Sequence, residues 1–404
     1  MNVPKLRFKE FTDEWIAIKL NDISKTFDYG MNVASTSFDG KNKYIRITDI
    51  DDVSHKFLKN NIVSPSGSLE DKYLVRNDDI LFARTGASTG KTYLYNSNDG
   101  ILYFAGFLIR INVLKSYNSY FIFQNTLTKK YTDWVKVESI RSGQPGINAE
   151  QYKSYSIKCP TLAEQNKIAN FLSTVDKKIT NLENTITSLE NQKKGLLQQI
   201  FSQKLRFKDE NGNNYPNWIN STIGKSGYFY YGKSAPKWSI TDTATIPCVR
   251  YGELYTTHNI MVKKIYSYTN IPKENLKFST GNEVLVPRVG EEPLDFCKCC
   301  YLPFKDVAIG EMISVYNTKN NPLFISYMFN ATMKYKFAKL VEGGNVSNLY
   351  YSYLENIKIK LPCLEEQTKI ADFLSAFDRK LDNQKAQLEH WKQIKKGLLQ
   401  QMFV

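Results

Sequence analysis

The chain has 404 residues, enough for two or three domains with ordinary cores, and a formal charge of +14, which fits a polyanionic partner. Aromatic residues make up 13% of it, which excludes a disordered basic tail. No uninterrupted apolar run approaches the roughly 18 residues a membrane span needs, and the six cysteines form no evenly spaced framework, so a soluble protein of the reducing cytoplasm is expected.

In chain order, residues 1–160 read as a mixed α/β domain. Short apolar or alternating runs predict strands over 43–47, 79–83, 91–95, 105–112 and 154–158. Tyr120, Phe123 and Leu127 share one face of a predicted helix over 119–131. Pro160 ends the last strand, and Thr161 with Glu164 has the spacing of a capping box. A long helix comes next over 161–203. Its apolar residues Ile168, Leu172, Val175, Ile179, Leu182, Ile186, Leu189, Leu196 and Ile200 alternate in steps of four and three, broken where Lys193 fills a seam position. That spacing, held over more than four heptads, predicts a coiled-coil helix.

The turn-rich segment 209–216 opens a second copy. Lys5-Leu6-Arg7-Phe8-Lys9 reappears as Lys204-Leu205-Arg206-Phe207-Lys208, Trp15 answers to Trp218, Tyr29-Gly30 to Tyr231-Gly232, Arg46 to Arg250 and Arg84 to Arg288. Residues 204–362 are therefore a second mixed α/β domain, with a helix predicted over 321–340. A second long helix spans 363–404, with seam residues Ile370, Leu374, Phe377, Leu381, Leu388, Trp391, Leu398 and Met402 and polar exceptions at Gln384 and Lys395. Lys193 to Gln199 recurs verbatim as Lys395 to Gln401. The expected architecture is mixed α+β: two duplicated α/β domains joined by two long helices that pair as an antiparallel coiled coil with pseudo-two-fold symmetry. A period near 200 residues is far too long for a solenoid.

Catalytic motifs are scarce. Gly86-Ala-Ser-Thr-Gly90-Lys91-Thr92 resembles a Walker A loop but has three residues between its glycines instead of four, and the run Thr92 to Tyr95 reads as a strand, not a phosphate-capped helix. The matching segment from Gly290 is acidic, so nucleotide hydrolysis is not expected. Cys297-Lys298-Cys299-Cys300 clusters three thiols with no facing pair and no nearby histidine, which argues against zinc. His55, His258 and His390 each stand alone on polar stretches and read as surface residues. Asp49 and Glu253 coincide between the halves, as a shared structural hydrogen bond would require. The chain reads as a binder without chemistry, metal or cofactor of its own.

As a DNA binder it has suitable parts. Arg offers a bidentate fork to guanine, Gln and Asn pair with adenine, and Lys and loop amides suit phosphates. If the two halves read different base sequences, shared residues are scaffold or phosphate contacts, namely Arg46 with Arg250 and Arg84 with Arg288; Lys91, in its glycine-rich loop, suits a phosphate. Residues that differ are the better base readers: Ser88, Thr89, Arg141 and Gln144 in the first half, and Lys233, Lys237, Lys298, Asn345 and Ser347 in the second.

Pro160-Thr-Leu-Ala-Glu-Gln-Asn-Lys-Ile-Ala-Asn-Phe-Leu-Ser173, its repeat from Pro362 to Ser375, and the twice-written Lys-Lys-Gly-Leu-Leu-Gln-Gln together resemble the specificity subunit of type I restriction–modification systems. Asp79 to Gly86 and Ser142 to Ile147 are similar to segments of that family's target recognition domains, whereas Val341 to Ser347 departs from the latter. The resemblance covers essentially the whole chain. It implies that each domain reads one part of a bipartite duplex target, that the helices set the spacer, and that two methyltransferase subunits dock on them. Restriction and motor subunits would complete the complex, with S-adenosylmethionine and ATP held by partners and none by this chain. The repeated stretch of about 38 residues measures roughly 57 Å as a helix, more than one DNA turn of about 34 Å, so a gap of unread bases is expected. The alternative is a non-catalytic coiled-coil scaffold that binds protein or RNA.

Overall fold

The computed structural model describes residues 3–140 and 143–404. Two long helices dominate it, Leu162–Phe201 and Leu364–Met402. Both lie where the 4-3 spacing places them. The chain divides into two compact units, one running up to Glu183 and resuming at Ala386–Val404, the other Asn184–Lys385. Each unit therefore joins one globular domain to the opening of the helix that leaves it and to the closing part of the other long helix.

In the first unit, an antiparallel sheet runs in the order Ser24–Tyr29, Leu108–Val113, Asp79–Ala83, Thr92–Leu94. Asp79–Ala83 is buried along its whole length because both of its faces are covered. Alternation sends Ile80 and Phe82 into one core, with Phe121, Ile122, Tyr131 and Tyr152, and Leu81 and Ala83 into another, with Tyr93 and Phe104. The first of these cores also receives Ile168 and Leu172 from the first long helix and Leu399, Met402 and Phe403 from the end of the second. Ile16–Lys19 pairs with Ser156–Cys159, which brings the domain's two ends together where the helix departs.

The second unit repeats the construction. Its antiparallel sheet runs Gly227–Tyr231, Ile313–Thr318, Glu283–Pro287, Cys300–Leu302. Val284 and Val286 face a core that includes Ile200, Ile370 and Leu374, while Leu285 faces the opposite one. A second four-stranded sheet is built on Ile246–Val249 and Lys305–Ile309, which run parallel. Ile219–Thr222 pairs with Lys358–Leu361.

Two expected helices are broken. The segment 119–131 is Ser119–Asn125 and then Lys129–Glu138, because the Thr128 hydroxyl accepts the Tyr131 N–H and starts a new helix. The segment 321–340 divides likewise into Pro322–Thr332 and Lys334–Ala338.

The seam residues Ile168, Leu172, Val175, Ile179, Leu182, Ile186, Leu189, Ile370, Leu374 and Leu381 are buried. Phe377, Leu388, Trp391 and Leu398 are half-buried, and Leu399 is buried beside Leu398. In each unit the two helix segments run antiparallel, since residue number rises on one as it falls on the other. Asp176 pairs with Lys395 at 2.8 Å and Glu183 with Lys392 at 3.2 Å in the first unit. Glu190 pairs with Lys385 at 2.7 Å and Lys193 with Asp378 at 2.5 Å in the second. The lysines that break the apolar seam are thus cationic partners of half-buried aspartates. Those aspartates also accept the hydroxyls of Tyr120 and Tyr327, which fastens each domain to the helix pair.

Glu164 is almost fully buried and does not act as the reciprocal half of a capping box. Its carboxylate takes a fork from Arg7, with Nε and Nη2 both at 2.8 Å, and the Trp15 indole N–H at 3.3 Å. Glu366 does the same for Arg206, at 2.7 and 2.8 Å, and for Trp218 at 3.2 Å. Next in sequence, Gln165 spans from the Pro160 carbonyl to the Asn118 N–H, and Gln367 from the Pro362 carbonyl to the Asn321 N–H. The repeated Glu-Gln therefore anchors the first residues of each domain and an inner helix to the start of each long helix. Removing one side of such a buried pair leaves an uncompensated charge. Glu366→Ala is expected to cost about 3 kcal/mol of stability, measured by urea unfolding. A loss below about 1 kcal/mol, the range of exposed ion pairs, would contradict the anchoring role.

Candidate nucleic-acid interface

In the first domain the polar loops meet where the central strand ends at Ala83. The Arg84 N–H donates to the Phe107 carbonyl and the Arg84 carbonyl accepts the Ile147 N–H. The Gly86 N–H reaches the Pro145 carbonyl at 2.9 Å, and Thr85 bridges Gly146. Two glycines are required for this convergence. A Cβ on Gly30 would lie 2.3 Å from the Ala105 carbonyl oxygen, and Gly86 has φ +72° with the Gln144 amide nitrogen 3.0 Å from its would-be Cβ.

The second domain converges in the same way. A Cβ on Gly232 would lie 2.1 Å from the Gly310 carbonyl oxygen. The Arg288 N–H donates to the Met312 carbonyl, and the Arg288 carbonyl accepts the Leu349 N–H. Here a hairpin, Glu342–Gly343 and Ser347–Asn348, pairs with Val289–Gly290 and replaces the first domain's 143–147 loop.

One arrangement recurs at both strand ends. The Arg84 guanidinium lies 5.0 Å from the centre of the Tyr29 ring and 5.9 Å from Phe107, and its Nε donates to the Gly106 carbonyl. The Arg288 guanidinium lies 4.3 Å from Tyr231 and 5.9 Å from Tyr350, and its Nε is buried without a hydrogen-bond partner among the described residues. The rings hold each guanidinium by cation–π attraction. Neither has an ion pair among the described residues, so the terminal nitrogens remain free for an anion. The tyrosines stood in the sequence as a shared Tyr-Gly, but nothing in the spacing tied them to the arginines.

The other expected site residues divide between scaffold and surface. Arg46 forks onto Asp49 through one edge of its guanidinium, with Nε and Nη2 each 2.8 Å from a carboxylate oxygen, while Nη1 lies 3.5 Å from the Ser35 hydroxyl. Arg250 donates its backbone N–H to Glu253, which also accepts the Ser267 hydroxyl. The coincident carboxylates Asp49 and Glu253 are structural acceptors. Lys91 turns inward, with Nζ 2.9 Å from the Ile50 carbonyl and 2.5 Å from Asp52. The Thr89 hydroxyl closes its own turn onto the Gly86 carbonyl. Ser347 is 3% exposed, with its hydroxyl turned to Gly344, and is part of the hairpin's frame.

Ser88 is half-buried on the same turn as Gly86, and Gln144 is exposed. Lys233 and Lys237 belong to the loop after Gly232: Lys233 is exposed and Lys237 lies on a 3-10 turn. Asn345 is exposed at the hairpin tip. Lys298 pairs with Asp295 at 2.7 Å. Arg141 lies outside the described residues.

The thiols of the cysteine cluster face two different cores: Cys297, at the end of a 3-10 turn, and Cys299 face one, and Cys300, the first residue of the strand Cys300–Leu302, faces the other. Burial pushes all three above the usual thiol range, as small apolar groups. His55 and His258 are half-buried rather than on the surface, and burial lowers the pKa of both. The His55 Nδ1 lies 2.8 Å from the Thr92 carbonyl oxygen. Among the described residues, no helix is long and apolar enough to cross a membrane.

The chain is similar to known proteins over nearly its full length. A specificity subunit assigned to the type I restriction enzyme MjaX of Methanocaldococcus jannaschii is 25% identical, with 98% of this chain and 95% of the relative covered. The type I restriction enzyme MjaVIII specificity subunit of the same organism is 23% identical over 86% of this chain and 83% of the relative. The fold matches that of a type I restriction–modification S subunit from M. genitalium, with a TM-score of 0.62, 16% identity, and 100% and 99% of the two chains covered. The family model for the type I restriction modification DNA specificity domain matches twice, over residues 12–191 and 229–390. The chain, with its twice-built domain and its two long helices, belongs to the type I restriction–modification DNA specificity family.

Proposed function

We propose that each domain reads one part of a bipartite duplex DNA target and that the two long helices set the number of unread bases between the parts. The helices also carry the docking surface for two methyltransferase subunits. Restriction and motor subunits complete the assembly, and S-adenosylmethionine and ATP reside on partners. The chain supplies the address and leaves methylation and cleavage to the rest of the complex.

The observation that carries this reading is the arginine held on a tyrosine at the end of the central strand in both domains, among loops that differ between them. A contact common to both domains suits the phosphate backbone, which is the same in every sequence. The differing elements suit base edges: the Ser88 turn with Gln144 on one side, and the hairpin tip at Asn345 with Lys233 and Lys237 on the other. The formal charge of +14 supports the same partner.

Selection from random duplex DNA, with the methyltransferase partner present, is expected to enrich two short motifs at one fixed separation. Enrichment of a single motif, or of none at low salt, would contradict the reading. Arg84→Ala is expected to weaken binding to all duplexes alike and to reduce the slope of log affinity against log salt by about 1. Gln144→Ala should instead alter base preference within one of the two motifs. An Arg84→Ala protein that changed only its preferred sequence would reverse these assignments.

A further inference from the structure

Beyond the residues already placed at the interface, the loop that leaves the second domain's strand end carries an unexplained side chain. Trp238 is 72% exposed, whereas Trp15 and Trp218 are buried and Trp134 is half-buried. It sits in the 3-10 turn Lys237–Ser239, and its backbone is firmly held. Ser239 is fully buried, its hydroxyl donates to the Pro236 carbonyl, and it accepts the Thr269 hydroxyl at 2.8 Å. Ala235 is buried in the core beneath. The turn therefore presents the indole outward from a fixed base.

The approach to this turn is strained and local to the proposed DNA face. Ser234 and Ala235 both have φ +63°, two consecutive non-glycine residues in the left-handed region. The Ser234 carbonyl accepts the Glu311 N–H, and the carbonyl of the next residue, Met312, accepts the Arg288 N–H. The loop thus springs from the backbone neighbouring the stacked arginine. Lys233 and Lys237 lie on either side of the strained pair, and no acidic residue falls between Gly232 and Thr241. In the first domain the segment after Gly30 runs Met31-Asn-Val-Ala-Ser-Thr-Ser-Phe38, so the place six residues after the glycine holds Thr36 where the second domain has Trp238, and its aromatic, Phe38, comes two residues later. Trp238 is therefore peculiar to one domain, as a base-reading residue is and a shared phosphate contact is not.

We propose that Trp238 is a specificity-determining residue of the second domain, laying its indole face against the 5-methyl group of a thymine. An indole face has no hydrogen bond to offer a base, and the thymine methyl is the apolar group that the major groove displays. The flanking lysines hold the loop to the backbone through phosphates. A ring fixed in advance loses little conformational freedom on binding, which favours such a contact over one from a mobile side chain. The inference rests on the DNA-reading role proposed above.

The test uses the full chain with its methyltransferase partner and the duplex that the wild-type complex selects. Trp238→Ala is expected to weaken binding to that duplex roughly 3- to 10-fold, with base preference relaxed at one or two adjacent positions of one motif and unchanged in the other. Replacing the thymines of that motif with uracil should weaken the wild-type complex by a similar factor and leave the Trp238→Ala complex unaffected. Trp238→Phe should retain most of the wild-type preference, and equal urea midpoints for all three proteins would show that folding is intact. Base preferences unchanged by Trp238→Ala would overturn the inference, as would a loss equal on all duplexes. Loss of the methyltransferase partner with DNA selection intact would assign the residue to a protein contact and overturn it too. Failure of the wild-type complex to select any two-part target would instead strike at the DNA-reading role itself.

Discussion

A buried glutamate at the start of each long helix holds the construction together. Glu164 and Glu366 are almost wholly removed from water, a position a carboxylate tolerates only when its oxygens are matched. Arg7 and Trp15 match the first, Arg206 and Trp218 the second. The arginines come from the segment entering each domain and the glutamates from the helix leaving it, so one interaction closes the domain on itself and sets where its helix departs. Further along each helix, Asp176 and Asp378 add a second tie, each taking a tyrosine from the domain and a lysine from the other helix. An apolar seam alone would tolerate slippage by a heptad. A lysine that must meet one particular aspartate does not.

The helices were the most legible part of the chain, because a 4-3 spacing is a local property and needs no partner to be recognised. Their polar breaks were visible but their meaning was not. Lys193 and Lys395 stand in the seam, while the aspartates that satisfy them stand on another helix, remote in the chain. Glu164 was open to misreading for the opposite reason. Three residues after Thr161 it fits a cap, and only the folded chain brings Arg7 and Trp15 to it. The break at Thr128 had a local signal, a hydroxyl placed to accept the N–H three residues on, that the apolar pattern across it concealed.

The candidate interface was legible by type and less so by residue. Comparing the two halves singled out Arg84 with Arg288 as a matched pair, and the structure gives them matched tyrosine stacks. The same comparison grouped Arg46 with Arg250 as scaffold or phosphate contacts, and each donates its backbone N–H to the carboxylate three residues on, Asp49 or Glu253, with the Arg46 side chain also forked onto Asp49. Lys91 looked free in a glycine-rich loop because Ile50 and Asp52, which engage it, come from a distant connection. Ser347 looked like a loop residue because the short link from Glu342 gives no sign of a hairpin whose frame buries it. Residue type and loop position report what a side chain is able to do. Whether it is free to do so depends on neighbours that sequence order does not reveal.

In the proposed function, helix length is converted into DNA spacing while the domains keep their own readings. Deleting one heptad from each long helix, between the anchored ends, shortens it by about 10 Å, close to three base pairs of duplex. Target selection with the shortened protein and its methyltransferase partner measures the consequence directly. The same two motifs at a changed separation are expected. The same motifs at the original separation, or new motifs altogether, would contradict that conversion of length into spacing.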